Sequence, residues 1–296
     1  MKKKLVSVVL STYNGEKYIK TQLDSIIAQT YKNIEVIIVD DYSSDNTVSI
    51  LKTYVSRYSN IYLHEATKNI GYIKNFERGV KLAKGDFISF ADQDDYWLPL
   101  KTEKLIDAIG SSDVVYCDSE LVDCNLNSLG KNMSTGHHFI SSSNPINFAV
   151  KNCVSGHAML FKKSLLNNKF NFPELIPHDW WITFLASSKN GVIYLNETLV
   201  KYRIHDNNII AGEGHQKKDK SLKNLDRKQR IKCFHEALPN NIILKKISNS
   251  YKNNFLVNRI KRVVVFISYV NELFVISDRS KFKKLFYALS MFFKIR

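Results

Sequence analysis

Three aspartates lie close together directly after an apolar segment of this 296-residue chain. The apolar residues 87–91 are followed by Asp92, Asp94 and Asp95. Carboxylates placed this closely repel each other unless a cation compensates their charge. Oxygen ligands of this kind suit Mg²⁺ and Mn²⁺, which commonly share their coordination shell with substrate phosphates. The cluster therefore indicates a divalent-cation site, with a solvated turn of helix-capping aspartates as the alternative.

A second acidic pair follows another apolar segment in the same half of the chain. Asp40 and Asp41 end the apolar segment 34–39, and polar residues likewise end the segment 5–10. Between the apolar segments, hydrophobic residues recur at helical spacing. Continuous apolar strands that alternate with helices predict a parallel sheet covered on both faces. Because ligands of such sheets bind beyond the carboxyl ends of the strands, we expect both acidic groups at one edge.

The alternation predicts a specific set of elements. Strands are expected at residues 5–10, 34–39, 61–63, 87–90, 113–117, 192–195 and 198–203, and helices at 16–29, 46–58, 72–83 and 177–189. Glycines at 212 and 214 indicate a linker. We therefore expect one α/β domain over residues 1–212, followed by a basic helical region over 213–296.

The net charge of +15 is confined to the C-terminal region. Residues 1–214 hold 23 basic and 23 acidic residues, whereas residues 215–296 hold 20 basic and 5 acidic residues. Such an asymmetry points to an anionic partner, either lipid or nucleic acid, with a merely solvated tail as the alternative. A helical stripe near the C-terminus is apolar and bordered by cations; it comprises Phe282, Leu285, Phe286, Leu289, Phe292 and Phe293, with Lys281, Lys283, Lys284, Lys294 and Arg296 around it.

This stripe has the pattern of a helix that lies in a membrane interface. The alternative is that Phe286, Leu289 and Phe293 pack against the catalytic domain. No uninterrupted apolar segment is long enough to span a bilayer, and the run 5–10 is too short for a signal peptide. The four cysteines form no CxxC pair, which favours free thiols over a zinc site. These features lead us to expect a cytoplasmic protein, peripheral on the cytoplasmic face of the inner membrane.

Composition and motifs exclude several classes of protein. Hydrophobic residues make up 44% of the chain, which is too many for a disordered protein. The chain has no GxxxxGK[ST] sequence, no GxGxxG after a strand and no GxSxG elbow, which argues against P-loop NTPases, dinucleotide oxidoreductases and serine hydrolases. A glycoside hydrolase with paired carboxylates remains open, as does a non-catalytic nucleic-acid-binding module, although no RRM, zinc-finger or helix-turn-helix signature is present.

Several ordered motifs resemble family 2 glycosyltransferases. They are VSVVLSTYNGEKYI, VIIVDDYSSDNT and FISFADQDDYW, and the similarity covers residues 5 to about 105. The later sequences HDWW (178–181) and YRIH (202–205) resemble the acceptor-side base motif and the late basic motif of the family. FADQDDYW and HDWW are similar to the rhamnosyltransferase-like members in particular. The resemblance implies the GT-A fold, an α/β fold with a Rossmann-like, mostly parallel sheet and flanking helices. It also implies that residues 1–212 are a catalytic domain, with a nucleotide-binding half to about 105 and an acceptor half over about 106–212.

The resemblance also implies a role for each matching residue. Asp179 would be the catalytic base. The nucleotide would be bound by Thr12, Tyr13, Asp40 or Asp41, Lys74 and Asp92. The metal would be bound by Asp92 and Asp94, and the diphosphate would be contacted by Arg203 and His205. Lys74 as a solvated lysine and His205 as an ordinary histidine at a strand end are the alternatives. Trp180 and Trp181 would stack on a sugar or belong to the core of a helix.

The implied activity is inverting and depends on Mn²⁺ or Mg²⁺. A sugar would pass from a nucleotide-diphosphate donor to a hydroxyl of a polyprenyl-diphosphate-linked saccharide, an intermediate of O-antigen or capsule biosynthesis. The expected donor is dTDP-L-rhamnose, with UDP-glucose or UDP-galactose as alternatives. A single carboxylate that acts opposite the leaving group suffices as general base and gives inversion. The expected partners are the donor, the acceptor and an anionic inner-membrane surface, not nucleic acid; the oligomeric state stays open.

Overall fold

The structure of the protein is a computed structural model that describes residues 4–167, 169–205, 220–253, 255–277 and 280–290, without the side chains of 220–226. The strands are β1 Val6–Thr12, β2 Ile34–Asp40, β3 Ile61–Glu65, β4 Phe87–Asp92, β5 Tyr96–Trp97, β6 Val114–Val122, β7 Ser128–Asn132, β8 Met159–Lys162 and β9 Val192–Arg203. The helices are α1 Ile19–Ile27, α2 Thr47–Val55, α3 Tyr72–Leu82, α4 Lys101–Ile109, α5 Ile146–Ala149, α6 His178–Ser187, α7 Lys220–Ala237, α8 Ile242–Ser250, α9 Leu256–Ser268, α10 Val270–Leu273 and α11 Lys281–Ser290.

The N-terminal half forms the predicted parallel sheet. Its four strands lie in the order β3-β2-β1-β4, and every neighbouring pair is parallel. The register places Thr12 opposite Asp40 and Ser11 opposite Asp92. The prediction that the acidic groups lie at one edge of the sheet is therefore confirmed, because β1, β2 and β4 all end there.

The second half extends the sheet with strands of mixed direction. β8 runs antiparallel to both β4 and β6, and β9 runs parallel to β6. The predicted strands 192–195 and 198–203 are one strand of twelve residues. The register between β6 and β9 shifts on both sides of Asp118, so the polar residues 196–197 continue the strand as part of an irregularity instead of ending it.

Helices cover both faces of the sheet, as the sequence predicts. One hydrophobic core contains Leu23 of α1, Leu51 of α2 and Leu105 of α4. The core on the opposite face contains Phe76 of α3 and Ile182 of α6. Buried apolar residues on both faces of β1, β2 and β4 join the two cores. This doubly covered sheet holds the strand ends in fixed positions relative to each other.

The C-terminal helices share a third core with the acceptor half. Phe184 of α6 stacks on Phe234 of α7 with ring centroids 4.0 Å apart, and Phe266 and Phe274 belong to the same cluster. The predicted boundary at residues 212–213 lies outside the described residues, as do Phe292, Phe293, Lys294 and Arg296 of the predicted stripe. Within the described ranges, no helix has both the length and the apolar composition needed to cross a bilayer.

Candidate active site

Two aspartates and a histidine converge where β4 ends. His157 Nδ1 lies 3.7 Å from Asp92 Oδ2 and 3.6 Å from Asp95 Oδ2, and one ligand atom from each residue lies within 4.8 Å of the others. The ring of His157 stacks on Tyr202, and its Nε2 lies 2.9 Å from Ser119 Oγ. These contacts fix the orientation of the imidazole and leave Nδ1 directed at the two aspartates.

The buried carboxyl of Asp95 makes this cluster chemically suited to a divalent cation. Asp95 is fully buried, and its Oδ2 has no hydrogen-bond partner. Burial and the nearby Asp94 and Asp92 raise its pKa well above the ordinary value. Two carboxylates and an imidazole form a donor set that Mn²⁺ and Mg²⁺ accept. A bound cation would compensate the charge that otherwise makes ionisation of this carboxyl costly.

A buried lysine lies close to the acidic cluster. Lys101, at the start of α4, is fully buried; its Nζ lies 3.2 Å from the centroid of the Trp97 ring and 3.3 Å from Ser89 Oγ. Burial lowers the pKa of this ammonium to about 7, although Cys117 and Asp95 oppose that shift. The side chain is therefore held by a cation–π contact and by the field of the acidic cluster. Sequence reasoning did not identify it, because only the fold brings α4 to the end of β4.

Asp94 belongs to a second group, formed with the end of β9. His205 Nε2 lies 2.8 Å from Asp94 Oδ2, and the His205 ring contacts that of Tyr18 at 5.0 Å. The Arg203 guanidinium donates from Nε to the Asp94 carbonyl at 2.7 Å and also to the carbonyl of Cys124. It lies 4.4 Å above the Tyr18 ring. The structure thus brings Arg203 and His205 to the aspartate cluster, and here the Arg203 side chain holds the loop that carries Asp94.

Asp179 lies in the first turn of α6, near the acidic cluster. Its Oδ2 accepts a hydrogen bond from the Gly156 amide at 3.1 Å, and its Oδ1 accepts one from the Trp180 amide at 2.6 Å. Burial raises the pKa of Asp179 to about 7, and the charge of Asp92 adds to this effect. A carboxyl with such a pKa is well matched to proton transfer near neutral pH.

Gly156 allows the close approach of α6. A Cβ at this position would lie 2.9 Å from His178 Nε2, so a larger residue would push the helix start away. The His178 ring is buried and stacks on Phe76 with centroids 4.0 Å apart. Burial lowers the pKa of His178 to about 3, so this imidazole is neutral and acts as an aromatic core residue.

The predicted nucleotide-side residues line the neighbouring strand ends. Thr12 Oγ1 donates to Asp40 Oδ1 at 2.7 Å, and the Asp40 carboxylate also accepts from the Ser43 amide. Asp41 accepts from the amides of Ile70 and Gly71, at 2.8 and 2.9 Å. These bonds tie the end of β1 to the end of β2, and the start of the loop after β2 to the residues just before α3.

Two further predicted residues have different surroundings. The half-exposed Tyr13 exchanges two hydrogen bonds with the side chain of Gln93, through its amide at 2.9 Å and its carbonyl at 3.0 Å. Lys74 donates to Glu77 Oε2 at 3.0 Å and to the Phe172 carbonyl at 3.2 Å. The structure thus connects Tyr13 to the loop of the acidic cluster, whereas Lys74 is tied to Glu77 and the segment before α6.

The two tryptophans of the HDWW motif pack in the core shared with α7. Trp180 Nε1 donates to the Phe148 carbonyl at 2.6 Å, and Arg230 lies 4.3 Å above its ring. Trp181 stacks parallel to Phe234 with centroids 6.2 Å apart. The alternative in which these rings belong to the core is therefore the one that the contacts favour over sugar stacking.

Comparison with known proteins identifies the family. The family model for glycosyl transferase family 2 matches residues 7–169. The chain belongs to glycosyl transferase family 2. This family membership confirms the prediction from the motifs and argues against a glycoside hydrolase, and the α/β sheet agrees with the predicted GT-A fold.

Relatives of this glycosyltransferase occur in several bacteria. An uncharacterized glycosyltransferase of Rickettsia typhi is 32% identical over 68% of this chain, and the match spans 64% of the relative's own length, less than two thirds. The dTDP-rhamnosyl transferase RfbG of Shigella flexneri is 31% identical over 68% of this chain and 73% of its own length. An Escherichia coli protein, the UDP-Glc:alpha-D-GlcNAc-diphosphoundecaprenol beta-1,3-glucosyltransferase WfgD, is 28% identical over 71% of this chain and 81% of its own length.

Solved structures share the fold over nearly the whole chain. TarS residues 1–349 of S. aureus, crystallised with UDP-GlcNAc, aligns with a TM-score of 0.63 at 20% identity over 97% of this chain and 80% of that chain. The mannosyltransferase PcManGT of Pyrobaculum calidifontis, in complex with GDP-Man and Mn²⁺, aligns with a TM-score of 0.56 at 17% identity over 99% of this chain and 86% of that chain. At these identities the similarity establishes the fold alone.

Proposed function

We propose that this glycosyltransferase moves a sugar, with inversion, from a nucleotide-diphosphate donor to a hydroxyl of a lipid-linked saccharide. One observation carries the proposal: two consecutive residues connect the base candidate with the acidic cluster. Gly156 donates its amide to Asp179, and His157 faces Asp92 and Asp95. A carboxylate with a pKa near 7 therefore lies beside a group of acidic ligands, at the edge of the sheet where ligands bind.

Asp179 is the proposed general base. Its carboxylate takes the proton from the acceptor hydroxyl while the hydroxyl oxygen bonds to the anomeric carbon, and the bond from that carbon to the diphosphate oxygen breaks. The two amide donors orient the carboxylate and leave lone pairs for the acceptor. A single base on the face opposite the leaving group makes the displacement inverting.

The residues that would hold a divalent cation are Asp92, Asp95 and His157, with Asp94 and His205 next to them. The unpartnered Asp95 Oδ2 and the oriented imidazole fit such an ion. When bound, Mn²⁺ or Mg²⁺ neutralises charge on a diphosphate leaving group as a Lewis acid. Asp92 is thus a candidate ligand in both the motif resemblance and the structure, Asp95 and His157 are added by the structure, and Asp94, whose carboxylate pairs with His205, is the fourth candidate.

The nucleotide side is proposed to consist of the loops after β1 and β2. Thr12 and Asp40 are the last residues of β1 and β2, and Tyr13 and Asp41 are the first residues of the loops that follow. Arg203 is proposed to act at the diphosphate by holding the Asp94 loop, which its guanidinium contacts. Lys74 remains a candidate phosphate ligand only if it leaves Glu77.

The proposed donor is dTDP-L-rhamnose, with UDP-glucose as the second candidate. RfbG, a dTDP-rhamnosyl transferase, supports the first, and WfgD, a UDP-glucose-dependent enzyme, supports the second. WfgD acts on a diphosphoundecaprenol-linked sugar, which supports a lipid-linked acceptor here. UDP-galactose is a third candidate, which rests on the motif resemblance alone.

A donor panel tests the proposal. The full chain with Mn²⁺ is incubated with each of these three sugar nucleotides and with a GlcNAc-diphosphate-lipid acceptor, and release of the nucleoside diphosphate is measured. We expect one donor to release its nucleoside diphosphate, and only when the acceptor is present. NMR of the product should show an inverted anomeric centre. Absence of release with all three donors would refute the donor assignment, and a retained configuration would refute the single-base mechanism.

A further inference from the structure

The C-terminal helices present an exposed apolar surface that no part of the catalytic mechanism uses. On α9 and the residue before it, one side carries Phe255, Leu256, Val257, Ile260 and Val264. Leu256 is 61% and Val264 is 55% exposed, although both occur within a regular helix. Residues 256, 260 and 264 lie at helical spacing on one side of α9, so they form a continuous stripe.

The neighbouring helix α11 carries a second stripe. Phe282 is 77% and Phe286 is 69% exposed, and Leu285 and Leu289 are exposed beside them. α9 and α11 are in contact, and the opposite sides of both helices face the third core through Phe266 and Ala288. The predicted alternative, in which Phe286 and Leu289 finish the core of the catalytic domain, is not what the structure shows.

Basic side chains border both stripes. Among the described residues from 252 to 290, six basic residues are not buried, and one acidic residue, Glu272, is present. The basic residues are Lys252, Arg259, Lys261, Lys281, Lys283 and Lys284. Lys261 is exposed next to Ile260, and Lys281 and Lys283 are exposed on either side of Phe282. Apolar stripes bordered by cations have the composition of helices that lie in an anionic bilayer interface.

We propose that α9 and α11 form a docking surface for an anionic lipid bilayer. The apolar side chains would enter the boundary between headgroups and acyl chains, and the lysines would contact the headgroups. The same charges disfavour a second copy of this chain as the occupant, because two such surfaces brought face to face would place lysines against lysines. A bilayer with anionic headgroups satisfies both the apolar and the cationic parts of this surface.

The surface is connected through a packed core to the helix that carries Asp179. Phe184 of α6 stacks on Phe234 of α7, and the core containing them extends to Phe266 of α9 and Ala288 of α11. Arg262, buried in α9, donates to the Ser250 carbonyl at 2.9 Å and so ties α9 to α8. Docking of α9 and α11 would therefore also set the position of α6 relative to the bilayer. The inference rests on the proposed function only in that a lipid-linked acceptor is present at that bilayer.

Vesicle co-sedimentation of the full chain tests the surface without any measurement of activity. We expect binding to phosphatidylglycerol-containing vesicles that weakens with salt, and little binding to pure phosphatidylcholine vesicles. The triple variant L256S/I260S/V264S and the double variant F282S/F286S should each weaken partitioning at least about tenfold. The double variant V55S/L129S removes exposed apolar side chains from α2 and β7 and should bind like the wild type.

Two charge-reversed variants compare the lysines that border the stripes of α9 and α11 with lysines elsewhere on the surface. K261E/K281E/K283E should also lose at least about tenfold in partitioning, because each cation near an anionic surface contributes to binding. K20E/K131E/K169E makes the same change in charge at exposed lysines of the catalytic domain and should retain clearly tighter binding. Circular dichroism confirms that each variant is folded. In addition, the fluorescence of the Ile260→Trp variant should shift to shorter wavelength when anionic vesicles are added and should be quenched by brominated lipid, because residue 260 would enter the bilayer.

The outcomes separate this surface from the proposed reaction. The proposed docking surface is refuted if the wild type does not bind anionic vesicles at low salt, or if the α9 and α11 variants bind as well as V55S/L129S. It is also refuted if the fluorescence of the Ile260→Trp variant does not change when vesicles are added. Equal loss of binding in both charge-reversed variants also refutes it, since that would show attraction by net charge alone. Binding to random DNA of the same strength, lost in the same variants, would show nucleic acid to be the occupant instead. Vesicle binding with no sugar transfer would leave the surface in place and refute the function.

Discussion

The substitution Asp179→Asn separates the chemistry of this side chain from its structural role. The amide keeps the size of the carboxyl, but its single oxygen can accept only one of the two hydrogen bonds that the two carboxyl oxygens accept from Gly156 and Trp180. It cannot take a proton from an acceptor hydroxyl at neutral pH. Donor binding should therefore be nearly unchanged, while transfer falls by about 10²–10⁴-fold, the usual contribution of a positioned general base.

The pH dependence gives an independent signature. The base must be ionised, and burial raises the pKa of Asp179 to about 7. The wild-type rate should rise as pH increases through about 7 and then level off, with the midpoint moved lower where a bound cation favours the carboxylate. The residual rate of the variant should lack this rising limb, because the group that titrates is gone.

As pH rises toward about 7, the free energy of unfolding of the wild type should fall, whereas its transfer rate should rise. The pKa of Asp179 in the folded chain is about 7, whereas an aspartate in the unfolded chain titrates near 3.9. Between these values the folded state binds more protons, so this group lowers the stability as pH rises from about 4 to about 7. If the whole pKa difference acted on folding, ionisation of Asp179 would lower the free energy of unfolding by about 4 kcal/mol. Because the side chain is partly exposed to solvent, we expect a loss of about 1–3 kcal/mol. Loss of one backbone hydrogen bond lowers the stability of Asp179→Asn equally at both pH values. The stability of the variant relative to wild type should therefore rise by about 1–3 kcal/mol from pH 4 to pH 8.

The assay combines single-turnover transfer, donor binding by calorimetry, and denaturant unfolding without divalent cations. Glu174→Gln makes the same chemical change on an exposed residue of the segment before α6 and should leave all three measurements unchanged. The reasoning would be refuted if Asp179→Asn lost donor affinity but kept its rate at saturation, since Asp179 would then act on the donor side. A stability difference between variant and wild type that is the same at pH 4 and at pH 8 would contradict the role assigned to burial.

Three further predictions concern the acidic cluster and its supports. Chelator should abolish transfer, and Asp94→Ala should reduce it by at least about 100-fold; full activity of this variant in chelator would contradict a metal role. Gly156→Ala should lower kcat about tenfold or more with little change in donor affinity, because its Cβ would meet the ring of His178 at 2.9 Å and displace the base. Lys101→Met should weaken Mn²⁺ binding about tenfold in calorimetry, since loss of the buried ammonium makes ionisation of Asp95 harder; unchanged affinity would show that the ammonium acts only on packing.

The sequence by itself determined the N-terminal half of the fold and the location of the site. Strand and helix periodicity are local properties, so the alternation over residues 5–90 could be read directly. A parallel sheet requires that all strand ends of one kind share an edge, and this placed Asp40, Asp41 and Asp92 together without any tertiary information. The motif resemblance then placed Asp179, Arg203 and His205 near them. The structure does bring Arg203 and His205 to Asp94.

Only the tertiary structure decided which side chains complete the site. His157 precedes the short antiparallel strand β8, and nothing in its local sequence indicates that it faces Asp92 and Asp95. Lys101 resembles any lysine at the start of a helix, yet it is fully buried beside Trp97. Both depend on contacts between residues far apart in the chain, which periodicity does not report.

The C-terminal helices show the same division. Helical spacing reveals that Phe282 and Phe286 share a side of α11, but it does not determine what that side meets. In the structure, Ala288 faces the third core, and the phenylalanines remain exposed. The orientation of α11 is a property of the assembled core, because the helix packs with the side that fits Phe266 and Phe274 and not with its most apolar side. The sequence thus determined the amphipathic pattern, and only tertiary packing decided which part of it faces outward.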